Sequence, residues 1–254
     1  MSSINLNEIR GYVATSIQTF HENRLKSLEE TDFHTLLKKK NPYLFRAKNL
    51  VTAQELITSF LDAKISSSEE EIFGEFLEGL AIFVAQKTKN ASKSSAHGID
   101  FEYASGGTRF LVSVKSGLNW GNSSQWKALQ RDYEGAIKIL KQSKHVKNVV
   151  CVLGIGYGKA KTTTKRGYIL QVCGQNFWYM VSGDETVYTK IIEPLGYRAR
   201  ELNYSFLAKK NQVINKFTGQ FISEFCDKDG SIIWEKLVRY NSGNMTLKDK
   251  KALK

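Results

Sequence analysis

Cysteine, proline and long apolar runs are all scarce in this sequence, and each shortage argues against a class of protein. Its three cysteines, Cys151, Cys173 and Cys226, are an odd number without close spacing, which argues against a disulfide framework and a zinc knuckle. No stretch approaches the roughly 18 apolar residues that a membrane-spanning helix needs. The N-terminal residues lack the basic-then-apolar order of a signal peptide. We therefore expect a reduced, soluble, intracellular protein with no membrane partner.

Acidic residues are outnumbered by basic ones. Asp and Glu together number 25 against 37 Lys and Arg, which gives a formal net charge of +12. Such an excess favours polyanionic partners through long-range attraction. Hydrophobic residues nevertheless make up 41% of the chain, so the chain can form a real core and is not disordered throughout.

Hydrophobic periodicity and breaker residues divide the chain into elements. They predict helices at 5–40, 52–63, 66–87 and 124–144, and strands at 98–104, 109–116, 148–155 and 168–183. This order predicts an α/β fold in which helices flank a mixed β-sheet. We expect an N-terminal helical region at 1–66, the α/β domain at 67–242 and a charged, flexible tail at 243–254.

The first two strands form a hairpin around the tight turn at 105–108, because its two glycines can adopt positive φ. A turn centred between those glycines places Asp100 opposite Ser113. Since side chains alternate along a strand, Asp100, Glu102, Ser113 and Lys115 share one face. The apolar residues between them form the other face, which we expect to be the buried one.

An aspartate and a lysine held together on a sheet fit a metal-dependent phosphodiesterase. The carboxylate of Asp100 can bind a hard cation such as Mg²⁺ through oxygen, and Lys115 can orient the attacking water or offset phosphate charge. The alternative is an exposed cross-strand ion pair that contributes a few tenths of a kcal/mol. Glu78 favours the catalytic interpretation, since Gly74 and Ala81 beside it would let its helix approach the sheet.

The order of Glu78, Gly-Ile-Asp100 and Ser113-Val-Lys115 resembles the core of the PD-(D/E)xK nucleases. The segments HGIDFEYASGGTRFLVSVKSGLNWGNSSQ, CVLGIGYGK and GQNFWYMVSGDETVYTKIIEPLG are similar to those of PmeII family type II restriction endonucleases. This resemblance covers about residues 45 to 242. It implies a sequence-specific enzyme of the prokaryotic cytoplasm that cuts double-stranded DNA, leaving 5′-phosphate and 3′-hydroxyl ends. It also implies Mg²⁺ as cofactor, with Mn²⁺ as a substitute.

The sequence departs from the nuclease motif at one position. The motif has a carboxylate where this chain has Ser113, and a hydroxyl is a poorer ligand for a hard cation. The missing charge can come from Glu78, a helix position that the resemblance favours, or from Glu102, which lies two residues along the strand from Asp100. If neither reaches the site, the chain is an inactive relative.

Two polar segments are candidates for contacts with DNA. The amides of the loop after Lys115 can bind adenine edges in the major groove, and basic side chains near 159–166 can bind phosphates. The candidate residues are Ser116, Asn119, Trp120, Asn122, Ser123, Gln125, Lys159, Lys161, Lys165 and Arg166. The alternatives are a polar loop that leads to a helix N-cap and an ordinary solvated surface.

The glycines of the segment LGIGYGKA invite a nucleotide-binding interpretation, but the segment lacks the spacing of a phosphate loop and of a dinucleotide fingerprint. We therefore expect no nucleotide cofactor. A homodimer is expected because palindromic sites suit two-fold symmetric proteins. Two other functions remain open from the sequence. They are a structure-selective repair or recombination nuclease, and a non-catalytic DNA-binding protein with a degenerate site.

Overall fold

The computed structural model describes residues 4–142, 148–196 and 198–253, and its centre is a mixed sheet of six strands. The strands are β1 Ser92–Lys93, β2 Phe101–Ser105, β3 Thr108–Lys115, β4 Asn148–Ile155, β5 Thr163–Lys165 and β6 Ile169–Cys173. Their order across the sheet is β1-β2-β3-β4-β6-β5. The pairs β3–β4 and β4–β6 are parallel, and the outer pairs are antiparallel.

Helices precede, interrupt and follow the strands. They are α1 Leu6–Glu29, α2 Phe33–Lys39, α3 Pro42–Ala47, α4 Ala53–Lys89, α5 Ser123–Lys141, α6 Gln175–Ser182, α7 Val187–Lys190, α8 Ile192–Leu195, α9 Ala199–Phe225, α10 Trp234–Ser242 and α11 Leu247–Ala252. The expected α/β class, with a mixed sheet, flanking helices and a helical N-terminal region, is confirmed. No helix in the described parts of the chain is both long and apolar enough to cross a membrane.

The hairpin has the predicted register from Ser105 and Thr108 to Phe101 and Val112. The predicted pairing of Asp100 with Ser113 was wrong, because the Asp100 N–H donates to the carbonyl of Val112, the partner of Phe101. The expectation that only one of its faces is buried was wrong. Phe101 and Val112 pack on α4 and α6, whereas Leu111 on the opposite face packs on α5. The second face is covered because α5 connects the parallel strands β3 and β4, and such crossover helices pack on a face of the sheet.

The segment at 52–87 forms one helix and not two. The predicted Thr52 cap is present, since Thr52 Oγ1 accepts the N–H of Glu55 at 3.2 Å. The serines predicted to begin a second helix instead bond back to carbonyls of the preceding turn, Ser67 to Ala63 and Ser68 to Lys64. Serine hydroxyls can be satisfied in this way inside a helix, so α4 continues through them.

The predicted strand at 168–183 is half strand and half helix. Strand β6 ends at Cys173, and α6 begins immediately after Gly174, whose φ is +53°. A Cβ at that position would lie 2.3 Å from the carbonyl oxygen of Gly158, so the sharp change of direction requires glycine. The short edge strands β1 and β5 have too few residues to show a period of two and were not predicted.

The chain forms two compact units, and each is made from two separate stretches. The first contains the sheet and comprises the described residues up to Phe20 together with Glu70–Arg200. The second comprises His21–Glu69 and the described residues from Glu201 onward. Helices α1, α4 and α9 each contribute residues to both units.

The second unit is helical and has its own apolar core, in which residues of α2, α3, α4, α9 and α10 pack together. The side chain of Asn241 donates to the carbonyls of Leu37 at 2.7 Å and Lys40 at 3.0 Å, which satisfies acceptors at the end of α2. The charged C-terminal segment contains α11, which begins with a capping box of Thr246 and Asp249 and has no buried residue.

Candidate active site

Asp100 lies where the β2–β3 pairing ends. Its backbone N–H donates to the Val112 carbonyl at 2.9 Å, and its Oδ2 accepts the Val114 N–H at 2.6 Å. The carboxylate therefore replaces a backbone acceptor for one step of the ladder. Burial raises the pKa of Asp100, although the Val114 N–H and the charges of Lys115 and Lys93 act in the opposite direction.

Glu78, on the second half of α4, is an electrostatic neighbour of Asp100. Burial is the main cause that raises the pKa of Glu78, and the Asp100 charge raises it further, while Lys115 and Lys93 lower it. Helix α4 passes close to the loop after β3 at Gly74, where an added Cβ would lie in ordinary van der Waals contact, at 3.7 Å, with the Ser116 side chain. The helix thus brings a second carboxylate to the edge of the hairpin.

Two lysines accompany the carboxylates. Lys115 is the last residue of β3, and its Nζ lies 5.9 Å from the ring centre of Trp120. Lys93 belongs to β1, which pairs with β2 through Lys93 and Phe101. Sequence reasoning missed Lys93, because a strand of two exposed residues carries no pattern that would have revealed it.

Glu102 has a different partner. Its Oε2 lies 3.7 Å from Nε of Arg109 on the neighbouring strand. The positive charges that act on Asp100 and Glu78 are instead those of Lys93 and Lys115. Of the two acids considered from the sequence, the structure therefore groups Glu78 with Asp100.

Ser113 is fully buried. Its hydroxyl donates a hydrogen bond to the carbonyl of Gly98, and its backbone N–H donates to the Tyr133 hydroxyl at 3.1 Å. The side chain at the position of the motif carboxylate is thus directed at the backbone that leads to Asp100, which favours a structural role over a ligand role.

The donor set suits magnesium. Within residues 4–142, 148–196 and 198–253, no three His, Cys, Asp or Glu side chains cluster as a ready-made metal cage. Mg²⁺ retains several waters and is typically bound by one or two carboxylates together with substrate phosphate. Asp100 and Glu78 supply two carboxylates, and the charges of Lys115 and Lys93 act on both.

The loop after Lys115 is partly occupied in beginning α5. Asn122 accepts the N–H of Gln125 at 2.9 Å, and Gln125 accepts the N–H of Asn122 at 3.0 Å, which forms a capping box. Ser123 is the first residue of the helix. The side-chain oxygens of Asn122 and Gln125 therefore cap α5, which confirms for them the alternative of a polar loop that leads to a helix N-cap. Trp120 packs edge-on against Trp126, with ring centres 5.3 Å apart.

The basic candidates lie in the loop and edge strand that follow β4. Lys159, Lys161, Lys165 and Arg166 are exposed. Lys159 and Lys161 line a cavity of about 390 Å³ together with Gln175 and Asn176. Because β3, β4 and β6 run parallel and Lys115 pairs with Ile155, which pairs with Cys173, the loops that follow them share one edge of the sheet.

Hydrogen bonds join the first residues of these two loops. The N–H of Gly156 donates to the Lys115 carbonyl at 2.8 Å, and the N–H of Tyr157 donates to the Ser116 carbonyl at 2.9 Å. A Cβ on Gly158 would come within 2.7 Å of the Leu118 side chain. The loop after β4 is therefore packed against the loop after Lys115, and both border the candidate site.

The family comparison agrees with this arrangement. The model of the family described as type II restriction endonuclease EcoO109I matches residues 7–203, which include the two carboxylates and both lysines. No curated protein matches the chain. The resemblance to type II restriction endonucleases is confirmed through the EcoO109I family and not through the PmeII family. With more than half of its length matched, the chain belongs to the EcoO109I family of type II restriction endonucleases, enzymes that hydrolyse DNA.

Proposed function

We propose that this chain is a magnesium-dependent endonuclease that cuts double-stranded DNA at a specific sequence in the prokaryotic cytoplasm. The observation that carries the proposal is the grouping of Asp100, Glu78 and Lys115 beside the carboxyl ends of the parallel strands. Paired carboxylates next to a lysine suit phosphodiester hydrolysis better than a purely structural ion pair, because burial disfavours their ionised forms.

The roles of the three side chains follow from their environments. Asp100 and Glu78 would hold Mg²⁺, which would neutralise phosphate charge and lower the pKa of a bound water. Lys115, at the end of β3, would orient the attacking water and balance charge at phosphorus. Asp100 is well suited to a fixed position, since its Oδ2 is anchored by the Val114 N–H at 2.6 Å.

Substrate contacts are assigned to the two loops at the same edge. The loop after β3 would face the bases, through Ser116, Asn119, Trp120, Ser123 and the amides of Asn122 and Gln125. Lys159, Lys161, Lys165 and Arg166 would contact phosphates, which fixes register without reading sequence. A homodimer would present two such edges to a palindromic site. Mn²⁺ would substitute for Mg²⁺ as another hard cation.

The decisive experiment is digestion of unmethylated plasmid and phage DNA at millimolar Mg²⁺ by the wild type, Asp100→Ala, Glu78→Gln and Lys115→Ala. Glu102→Gln is the matched control, since it also removes one carboxylate charge from the hairpin but its partner is Arg109. We expect discrete bands from the wild type and the control, and none from the other three variants.

Each other outcome points to a different protein. If the wild type gives a smear of fragments and the same three variants do not cut, the assigned site would stand and the enzyme would be a structure-selective or nonspecific nuclease. Loss of cutting in Glu102→Gln but not in Glu78→Gln would exchange the roles of the two acids. No cutting by the wild type, with DNA still retarded on a gel, would leave a DNA-binding protein whose site is degenerate at Ser113.

A further inference from the structure

Lys93 is the charged group of the candidate site to which the proposed function gives no role. It is the last residue of β1, which lies at the edge of the sheet, and it is exposed. Its charge acts on both Asp100 and Glu78, as the charge of Lys115 does. The site therefore contains two carboxylates and two lysines.

Strand pairing determines the face of the sheet on which Lys93 lies. Lys93 pairs with Phe101, and directly paired residues of antiparallel strands project from the same face. Phe101 belongs to the apolar cluster that includes Leu80 and Ala81 of α4. Lys93 therefore projects from the face that α4 covers, and α4 is also the helix that carries Glu78.

Asp100 lies beside β1 in a β-bulge. Both Asp100 and Phe101 are opposite Val112, since the Asp100 N–H donates to the Val112 carbonyl at 2.9 Å and Phe101 pairs with Val112. Two residues opposite one is the arrangement of a bulge, and bulges next to active sites redirect side chains. The N–H of Ser94, the residue after β1, donates to the Asp100 carbonyl at 3.3 Å. Strand β1 is therefore bonded directly to the backbone of Asp100.

Lys115 begins on the opposite face of the sheet. It follows Val114, whose side chain belongs to the cluster that contains α4 residues, and side chains alternate along β3. Trp120, whose ring centre is 5.9 Å from Lys115 Nζ, packs against the cluster that contains Leu129 of α5. A phosphate at the carboxylates would therefore have one lysine on the side of each face.

We propose that Lys93 is a second catalytic lysine, which contacts the scissile phosphate from the α4 face of the sheet while Lys115 contacts it from the α5 face. The inference rests on the proposed function. Lys93 would donate to a non-bridging phosphate oxygen and offset the negative charge that develops at phosphorus, where fixed cations are most effective. No proton or covalent bond passes through it.

The charges of the site favour this role. When ionised, the two carboxylates and the two lysines cancel each other, so a bound Mg²⁺ would leave two positive charges. Attack by hydroxide gives a pentacoordinate phosphorus with two negative charges, which this site would balance. With Lys115 alone, one of those negative charges would remain unbalanced. The second lysine would also let the site accept a phosphate before the metal binds.

The test compares Lys93→Ala and Lys93→Arg with the control Lys138→Ala. Lys138 is an exposed lysine in the last turn of α5, so its loss changes the net charge equally. We expect single-turnover cleavage at saturating enzyme and millimolar Mg²⁺ to fall roughly 100-fold in Lys93→Ala. It should recover in part in Lys93→Arg and stay at the wild-type rate in Lys138→Ala. Lys93 is exposed, so the melting temperature of its variants should be unchanged.

The affinity for Mn²⁺ supplies a readout that needs no DNA. Removal of a positive charge near Asp100 and Glu78 reduces the repulsion of a cation, so Lys93→Ala should bind Mn²⁺ several-fold more tightly than the wild type. Lys138→Ala should bind it as the wild type does. Slower cleavage together with tighter Mn²⁺ binding distinguishes a lysine that acts on the phosphate from one that only supports the metal site.

Two results would overturn the inference. They are cleavage by Lys93→Ala at the wild-type rate, and a loss of cleavage without tighter Mn²⁺ binding. A wild type that cuts no DNA would contradict the proposed function instead. The phosphate contact would then be decided by affinity for duplex DNA in EDTA. A greater loss in Lys93→Ala than in Lys138→Ala would support the contact, and equal affinities would exclude it.

Discussion

At the residue scale, the site places two carboxylates where ionisation is unfavourable. Burial is the main cause that raises the pKa of both Asp100 and Glu78, and the Asp100 charge adds to the shift of Glu78. A carboxyl group whose folded-state pKa is raised stabilises the fold only at low pH. That contribution is lost as pH rises through the folded pKa, so at neutral pH the ionised pair destabilises the metal-free protein.

Asp100→Asn should therefore raise the melting temperature in EDTA at pH 7 while it abolishes cleavage. The asparagine Oδ1 can still accept the Val114 N–H, so the anchoring hydrogen bond is kept while the charge is removed. Thermal unfolding at pH 7 and pH 4 measures the effect, and the gain should shrink at the lower pH. Asp184→Asn is the opposite control, because Lys190 and Thr186 lower the pKa of Asp184 to about 2. Asp184→Asn should lower the melting temperature at pH 7. A change of the same sign in both variants would contradict the expected destabilisation by the Asp100 charge.

Ser113 illustrates how a motif departure can be structural. Its hydroxyl bonds the Gly98 carbonyl inside the core, so Ser113→Ala leaves that carbonyl without the bond. We expect a loss of about 1 kcal/mol in the free energy of unfolding, measured by denaturant titration. The Mn²⁺ affinity of the variant should equal that of the wild type. A large fall in that affinity, with stability unchanged, would make Ser113 a ligand after all.

At the element scale, α5 begins at the same loop that is assigned to DNA recognition, so the two roles must be separated. Asn122→Ala removes the N-cap bond to Gln125 and should cost about 1 kcal/mol of stability. Asn119→Ala, three residues earlier in the same loop, should leave stability unchanged and alter cleavage at near-cognate sites. Denaturant unfolding and digestion of a panel of sites measure both. Equal loss of stability in the two variants would contradict the separation.

The sequence predicted elements well where the signal is local. The glycine turn determined the hairpin register from Ser105 and Thr108 to Phe101 and Val112, because a two-residue turn determines which residues pair. It did not determine the position of Asp100, whose N–H donates to the Val112 carbonyl. The spacing of apolar residues predicted a helix at 124–144, close to the observed α5 at Ser123–Lys141. The alternation of side chains along β3 could not show that α5 covers the face that carries Ser113. That arrangement depends on the parallel pairing of β3 with β4, a strand that lies far from β3 in the sequence.

Tertiary contacts decided the elements that were missed. Strand β6 and α6 share one apolar stretch, and only the approach of Gly174 to the Gly158 carbonyl separates them. The grouping of Glu78 with Asp100 depends on α4 lying against the sheet at Gly74, whereas Glu102 is withdrawn by Arg109 on the adjacent strand. Lys93 became visible only through the pairing of β1 with β2. These contacts join residues that no sequence window contains.

At the scale of the whole molecule, the net charge of +12 gives a general attraction to DNA, which the edge loops are proposed to convert into defined contacts. The affinity for duplex DNA falls with salt concentration, and the slope measures how many phosphates are neutralised. A charge that only contributes to the overall field changes affinity with little effect on that slope. A charge that contacts phosphate changes both.

The double variant Lys159→Ala, Lys161→Ala tests this distinction. Its log–log salt slope, measured with cognate duplex in Ca²⁺, should be shallower by about 0.9 for each phosphate that the variant no longer neutralises. Lys138→Ala, Lys141→Ala removes the same charge from the last turn of α5. That turn lies at the far end of the helix from Asn122, and the helix begins beside the edge that carries the loops. The control should therefore keep the wild-type slope. If both pairs reduce the slope equally, the basic loop after β4 acts only through net charge, and DNA must lie on another part of the surface.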